Sequence, residues 1–187
     1  MYKALPEQTA GDLAYAAAEN LFEKTETDRS KIGALVFVTQ SPDYRRPATA
    51  CVLQKRLGVS LGCAAMDIGL GCSGFVYGLQ TAASLMASSD MEYALVLIGE
   101  TASKLVNPLD KSIVMMYGDA GAAILLKREE GASMKTLLKS DGNRFKAIVL
   151  PAGGFRDMNP SDETFMCSDG IERSLYDIFM DGTSVFS

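Results

Sequence analysis

Three short apolar runs, separated by segments with helical spacing, constrain the fold of this chain more than any other feature. They lie at residues 34–39, 63–68 and 93–99 and are rich in Val, Leu, Ile and Ala. Continuous apolar runs of this length are typical of strands that are covered on both faces. Because helices separate the runs, the sequence predicts a largely parallel sheet with right-handed crossovers, which is the α/β class.

Start and stop signals place three helices between and before these strands. Thr9 and Asp12 form a predicted capping box for a helix that runs to about Lys24. Pro47 is well placed as a first helical residue, and Gly58 as the stop of a second helix over about 47–57. A third helix, built from small residues, is predicted over about 73–88.

The later part of the chain has shorter apolar runs, separated by Gly, Asp and Asn turns. Strands are predicted at residues 123–126, 134–139, 147–150 and 164–167, arranged as hairpins at a sheet edge. The spacing of Ile171, Leu175, Ile178 and Phe179 predicts a helix after Gly170.

Composition excludes several classes of function. The chain has no histidine, so it cannot by itself supply a Ser-His-Asp triad, a Cys-His dyad or an imidazole ligand. The net charge of −5 and the lack of a basic run disfavour nucleic-acid binding. No apolar stretch approaches the roughly 18 residues of a membrane helix, and the N-terminus lacks the features of a signal peptide. We therefore expect a cytoplasmic protein without membrane insertion and without a metal site.

The glycine-rich turn at residues 69–74, GLGCSG, supports two specific functional readings. Gly69, Gly71 and Gly74 match the GxGxxG fingerprint, and Glu100 follows the next strand, as in a dinucleotide-binding domain. That fingerprint is weak here, because it follows two strands and two helices and places Cys72 where a pyrophosphate would lie.

The second reading makes Cys72 a nucleophile at the start of a helix. The positive end of the helix dipole and the unpaired amides favour a thiolate there, and the amide of Cys72 itself is a candidate oxyanion donor. The alternative is a buried cysteine in a tight turn. Cys51, Cys63 and Cys167 are predicted to be reduced, mostly buried structural thiols, since no CxxC pair occurs.

Two acidic residues near these motifs are assigned structural roles. Asp119 lies in a glycine turn, where an aspartate most often accepts hydrogen bonds from backbone amides. Asp67 ends the second strand, and a carboxylate close to Cys72 would disfavour its thiolate. Asp67 is therefore assigned to packing or to turn hydrogen bonds.

Several segments around Cys72 resemble the β-ketoacyl-acyl carrier protein synthase III family, which has a thiolase-like fold. The matching segments, in order, are PATACVLQ at 47–54, DIGLGCSGFVYGL at 67–79, YALVLIG at 93–99 with Ser103 and DKS at 110–112, and YGDAGAAIL at 117–125. The resemblance covers nearly the whole chain and strengthens the reading of Cys72 as a nucleophile.

The resemblance implies that residues 1–187 form the N-terminal thiolase-like domain of a pseudo-symmetric five-layer αβαβα protein with a mostly parallel mixed sheet. We expect the family's first strand and its C-terminal half to be missing from this chain. In the family, the cysteine is acylated by a coenzyme A or acyl carrier protein thioester, with no bound cofactor. Malonyl-acyl carrier protein is then decarboxylated and condensed onto the acyl group, with a His and an Asn of the C-terminal half stabilising the oxygens.

These features predict an acyltransferase of lipid metabolism that is a homodimer when complete and that acts through Cys72. We expect this chain alone to be inactive in condensation, since the His and Asn are absent from it. A non-catalytic dimerisation or binding module of the same fold is the alternative, with the dinucleotide-binding domain third.

Overall fold

A computed structural model describes residues 2–161, 163–167 and 170–186, with the side chain of Phe186 excepted. The chain divides into two compact units. The first, here called the sheet unit, comprises residues 2–101 and 119–138. The second, called the loop-rich unit, comprises residues 102–118 and the described residues from 139 onward.

A mixed four-stranded sheet forms the centre of the sheet unit, with strand order β2-β1-β3-β4. The strands are β1 (Ile32–Val38), β2 (Ala64–Ile68), β3 (Tyr93–Glu100) and β4 (Ala120–Lys127). β2 and β3 both pair in parallel with β1, and β4 pairs antiparallel with β3. The predicted mostly parallel sheet is therefore confirmed, and three of its strands end on the same edge.

Helices cover both faces of this sheet. They are α1 (Ala10–Thr25), α2 (Thr49–Arg56) and α3 (Gly74–Ala87). α1 and α2 pack on the face that carries Leu35 and Phe37, whereas α3 packs on the face that carries Val36 and Val38. Alternate residues of β1 thus enter two separate cores, as expected for a strand buried on both faces.

The start of α1 agrees with its prediction, whereas the start of α2 does not. α1 has the predicted capping box, in which the Thr9 hydroxyl accepts from the Asp12 amide and the Asp12 carboxylate accepts from the Thr9 amide. α2 begins at Thr49, two positions after the predicted start at Pro47, because the Asp67 carboxylate binds the amides of Thr49 and Ala50.

The loop-rich unit contains short elements only. They are β5 (Ile148–Val149), β6 (Thr164–Met166), β7 (Glu172–Ser174), β8 (Phe179–Met180) and α4 (Gly182–Phe186). β5 pairs with β8 and β6 with β7, both antiparallel. The predicted strands at 147–150 and 164–167 are present in shorter form. Instead of hairpins at the edge of the larger sheet, they form two separate two-stranded sheets, and β5 pairs with the distant β8.

Two predictions for the later part of the chain are wrong. Residues 134–139 are predicted as a strand, but they belong to neither a helix nor a strand and are exposed, apolar side chains included. The predicted helix after Gly170 is replaced by β7 and β8. Between those strands the Asp177 carboxylate accepts from the amide and hydroxyl of Ser174, which closes a turn where the helix was expected.

A buried ion pair lies inside the loop-rich unit. Arg173 is 1% exposed and Asp110 is fully buried. The Arg173 guanidinium contacts Oδ2 of Asp110 through Nε at 2.8 Å and through a terminal nitrogen at 2.7 Å. Pairing and hydrogen bonding of this kind are what a buried charge requires.

No helix within residues 2–161, 163–167 and 170–186 combines the length and the apolarity needed to cross a membrane.

Candidate active site

Cys72 lies in the turn between β2 and α3, at the edge where the parallel strands end. This turn, residues 69–73, is called the elbow. Cys72 is exposed and stands two residues before the first residue of α3. The Gly74 amide donates to the Gly71 carbonyl at 2.7 Å, which closes the turn around Cys72. The predicted sequence of strand, turn and helix is confirmed, and the turn presents the thiol to solvent.

Two glycines of α3 allow that helix to lie directly on β1. A Cβ at Gly74 would stand 2.5 Å from Cγ1 of Val38, and a Cβ at Gly78 would stand 2.8 Å from Cγ2 of the same residue. Contacts this short do not occur between real carbon atoms. Gly74 therefore has a packing role, which explains part of the GxGxxG pattern without a dinucleotide.

Glu100, which the dinucleotide reading assigns to a ribose, binds the protein instead. Its Oε1 accepts from the Gln40 amide at 2.6 Å, and its Oε2 accepts from the Ser41 hydroxyl at 2.9 Å. The Ser41 oxygen in turn accepts from the Thr101 amide at 2.9 Å. Both carboxylate oxygens are thus engaged with the loop after β1, and the dinucleotide reading is not favoured.

Burial raises the pKa of Glu100, and the negative charge of Asp119 adds to the rise. The hydrogen bonds from Gln40 and Ser41 oppose these effects, since they stabilise the carboxylate.

Asp67 and Asp119 both bind backbone amides, as predicted for Asp119, whereas packing or turn hydrogen bonds are expected for Asp67. The Asp67 oxygens accept from the amides of Thr49 and Ala50, each at 2.7 Å, and so cap α2. Asp119 accepts from the Ala4 amide at 2.7 Å, and its own amide donates to the Tyr2 carbonyl. Asp119 thus binds the segment before α1, whereas the sequence predicts that it binds amides of its own turn.

The four cysteines are free, and the three that are predicted to be mostly buried are less buried than expected. Cys51 is exposed, because Ala50 and Leu53 occupy the face of α2 that packs on the sheet. Cys63 and Cys167 are partly buried. Burial raises the pKa of the Cys63 thiol to about 11, which leaves it protonated at neutral pH. Cys51 and Cys72 are the exposed thiols among the four.

Sequence reasoning missed the contribution of Gln40 and Ser41. They lie one and two positions beyond Thr39, the residue after β1, and Glu100 ends the neighbouring parallel strand β3. Because the carboxyl ends of adjacent parallel strands meet at one edge, this placement is a signal that could have grouped the three residues.

Comparison with known proteins supports the resemblance stated from the sequence. A family model described as 3-oxoacyl-[acyl-carrier-protein (ACP)] synthase III matches residues 66–142. The β-ketoacyl-[acyl-carrier-protein] synthase III of Caldanaerobacter subterraneus subsp. tengcongensis is 37% identical over 183 residues, which cover 97% of this chain and 53% of the relative. This chain thus spans about half the length of the curated relatives that it matches.

Solved structures agree. A 2.1 Å crystal structure of 3-oxoacyl-(acyl-carrier-protein) synthase III superposes with a TM-score of 0.93 at 34% identity, over 98% of this chain and 56% of that chain. The 3-oxoacyl-(acyl-carrier protein) synthase of Burkholderia xenovorans LB400 gives a TM-score of 0.84 at 34% identity, over 98% and 52%.

Helices on both faces of a mostly parallel mixed sheet, with a cysteine elbow at its edge, define a thiolase-like α/β protein. The predicted likeness to the β-ketoacyl-[acyl-carrier-protein] synthase III family is confirmed: this chain is similar to those enzymes over the stretch that it covers.

Proposed function

We propose that Cys72 accepts an acyl group from a coenzyme A or acyl carrier protein thioester, as part of a 3-oxoacyl-acyl carrier protein synthase III-like acyltransferase. The observation that carries this proposal is the exposed thiol in the elbow before α3, inside the segment that matches the family model. The relatives are enzymes by name, which does not favour the binding-module alternative.

Acylation needs a sulfur nucleophile and a donor for the oxygen that becomes negative. The Cys72 thiolate attacks the thioester carbonyl carbon and forms a carbon–sulfur bond. The tetrahedral intermediate then collapses, and the thiolate of coenzyme A or of the carrier protein leaves and takes a proton from solvent. In this scheme the Cys72 amide, at the positive end of α3, donates to the oxyanion.

Condensation belongs to the whole protein in this proposal. Malonyl-acyl carrier protein loses carbon dioxide, and the resulting enolate carbon attacks the acyl carbonyl on Cys72. A carbon–carbon bond forms as the Cys72 sulfur leaves. The enolate needs donors aimed at its oxygen, and the resemblance assigns these to a His and an Asn outside this chain, which has no histidine. The chain alone should therefore be acylated without condensing.

The wider proposal follows the same resemblance. The whole protein would act in the cytoplasm as a homodimer in fatty acid biosynthesis, with acyl-coenzyme A or acyl carrier protein and malonyl-acyl carrier protein as its partners. No cofactor is required, because the thioester substrates carry the activated groups.

Intact-mass spectrometry of the purified chain after incubation with acetyl-coenzyme A tests the first step. We expect one acetyl adduct, which peptide mapping assigns to Cys72. Cys72→Ser should abolish the adduct, whereas the matched control Cys51→Ser should retain it. No adduct on the wild-type chain, or an adduct that remains in Cys72→Ser, would contradict the proposal.

Release of carbon dioxide from malonyl-acyl carrier protein tests the second step. We expect no release above the uncatalysed rate from the chain alone. Rapid decarboxylation by the purified chain would show that its own residues stabilise the enolate.

A further inference from the structure

The loop that follows β1 is held by the carboxylate that ends β3. Glu100 accepts from the Gln40 amide and from the Ser41 hydroxyl, and the Thr101 amide binds the Ser41 oxygen. β1 and β3 are already paired along their length, up to Val38 and Ile98. The Glu100 contacts therefore add little to strand pairing. What they fix is the course of the backbone immediately after β1.

Gln40 connects this loop to the elbow. Its side-chain carboxamide packs over Gly71, the residue before Cys72, so that a Cβ at Gly71 would stand 2.6 Å from Oε1 of Gln40. Gly71 also accepts the hydrogen bond from Gly74 that closes the elbow. Glu100 is thus connected to the elbow by two contacts: it binds the Gln40 amide, and the Gln40 side chain lies against Gly71.

The position of Glu100 is costly, which argues for a specific role. The carboxylate is partly desolvated, and Asp119 contributes a second negative charge. A buried carboxylate beside a like charge destabilises the fold unless donors compensate for both. An apolar side chain could end β3 without this cost, but it could not hold the Gln40 amide.

We propose that Glu100 is a positioning residue for Cys72. By fixing the Gln40 backbone it holds the Gln40 side chain against Gly71 and so keeps the Cys72 amide and thiol in one orientation. The proposal rests on the function assigned to Cys72 above, because the orientation matters for acyl transfer. Misplacement by about 1 Å can slow such a step by about 100-fold.

Amide hydrogen exchange tests the positioning without any substrate. In Glu100→Ala we expect the Gly74 amide, whose hydrogen bond to the Gly71 carbonyl closes the elbow, to exchange about 10-fold faster, because local opening becomes less costly. Gln40→Ala should reproduce this result. Glu100→Gln keeps an acceptor for the Gln40 amide and should remain within about 2-fold of wild type. Glu92→Ala is the matched control. It removes the exposed ion pair between Lys31 and Glu92, which lies between α3 and β3, and should leave amide exchange at the elbow unchanged.

Two reactions of Cys72 separate positioning from a general loss of structure. Acyl transfer from acetyl-coenzyme A uses an oxyanion donor, so Glu100→Ala should slow it about 10-fold. Alkylation by iodoacetamide is a direct displacement at carbon without an oxyanion, and it should change by less than about 2-fold. Cys63 is the internal reference, because its burial keeps it unreactive unless the sheet unit loosens.

Two results would overturn the proposal. One is unchanged exchange at the elbow in Glu100→Ala. The other is a parallel rise in exchange along α1 together with alkylation of Cys63, which would mean general destabilisation. If the wild-type chain is not acylated, the proposed function fails, but the exchange experiment still decides whether Glu100 positions the elbow.

Discussion

The starts of α2 and α3 differ in how their amides are satisfied. At α2 the Asp67 carboxylate accepts from the amides of Thr49 and Ala50. At α3 the N-cap residue, Ser73, makes no side-chain cap hydrogen bond. Each start carries an exposed cysteine, Cys51 in the first turn of α2 and Cys72 just before α3.

The start of α2 is capped by a carboxylate, whereas the N-cap side chain of α3 does not compete with a thiolate or an oxyanion for the helix amides. A carboxylate at a helix N-terminus satisfies the amides and offsets the positive end of the dipole. A thiolate at α2 would therefore meet a negative charge, whereas a thiolate or oxyanion at α3 would not meet one from a capping side chain. The same chain thus contains a matched internal control for the reactivity of Cys72.

Gly74→Ala should have the largest effect on this comparison. The new Cβ would press on Val38 and force α3 away from β1, at a cost of about 3 kcal/mol in the free energy of unfolding. Urea unfolding measures this cost. The control is Gly69→Ala, since a Cβ at Gly69 meets no described atom within 4 Å. Equal stability of the two variants would show that α3 does not depend on this close approach.

Asp67→Ala should have the next largest effect, and it acts at the other helix. Loss of both cap hydrogen bonds should lower the free energy of unfolding by about 2 kcal/mol. Removal of the carboxylate should also raise the rate of Cys51 alkylation about 3-fold, because the start of α2 then resembles that of α3. Urea unfolding and mass-resolved alkylation check the two effects. Asp67→Asn, which retains one acceptor oxygen, should be intermediate in stability, and an unchanged Cys51 rate in Asp67→Ala would contradict the electrostatic explanation.

Ser73→Asp should have the smallest effect. It is the reverse of Asp67→Ala, because it adds a carboxylate at the start of α3. A carboxylate at the start of α3 should slow Cys72 alkylation about 3-fold, because it disfavours the thiolate. Ser88→Asp, at the C-terminal end of α3, is the control and should leave the Cys72 rate unchanged. A Cys72 rate that is insensitive to Ser73→Asp would mean that the helix start does not influence the thiol.

The sheet unit was predictable from sequence because its elements carry local, regular signals. Neighbouring residues alone are enough to recognise the apolar runs of β1, β2 and β3 and the capping box at Thr9. The start of α2 was not, because the carboxylate that caps it lies on β2, 18 positions after Thr49. Pro47 alone predicts that α2 begins at residue 47, but with this non-local cap the helix begins at Thr49.

The loop-rich unit resisted prediction for a related reason. Arg173, whose charge favours an exposed position by sequence reasoning, is buried against Asp110, 63 positions away. Arg173 lies in β7, where the apolar spacing predicts a helix, and its partner is too distant in sequence to be read from local spacing. In the candidate site, the elbow around Cys72 was likewise readable from adjacent residues, whereas Glu100 and Gln40 meet across 60 positions.

The relative alkylation rates of Cys72 and Cys51 test the central claim most directly. Iodoacetamide at limiting concentration and neutral pH, with peptide mapping over time, gives both rates in one sample, and glutathione provides the free-thiol reference. We predict that Cys72 reacts about 10-fold faster than Cys51 and faster than glutathione. Equal rates for the two cysteines, with neither above glutathione, would contradict the assignment of Cys72 as an activated nucleophile.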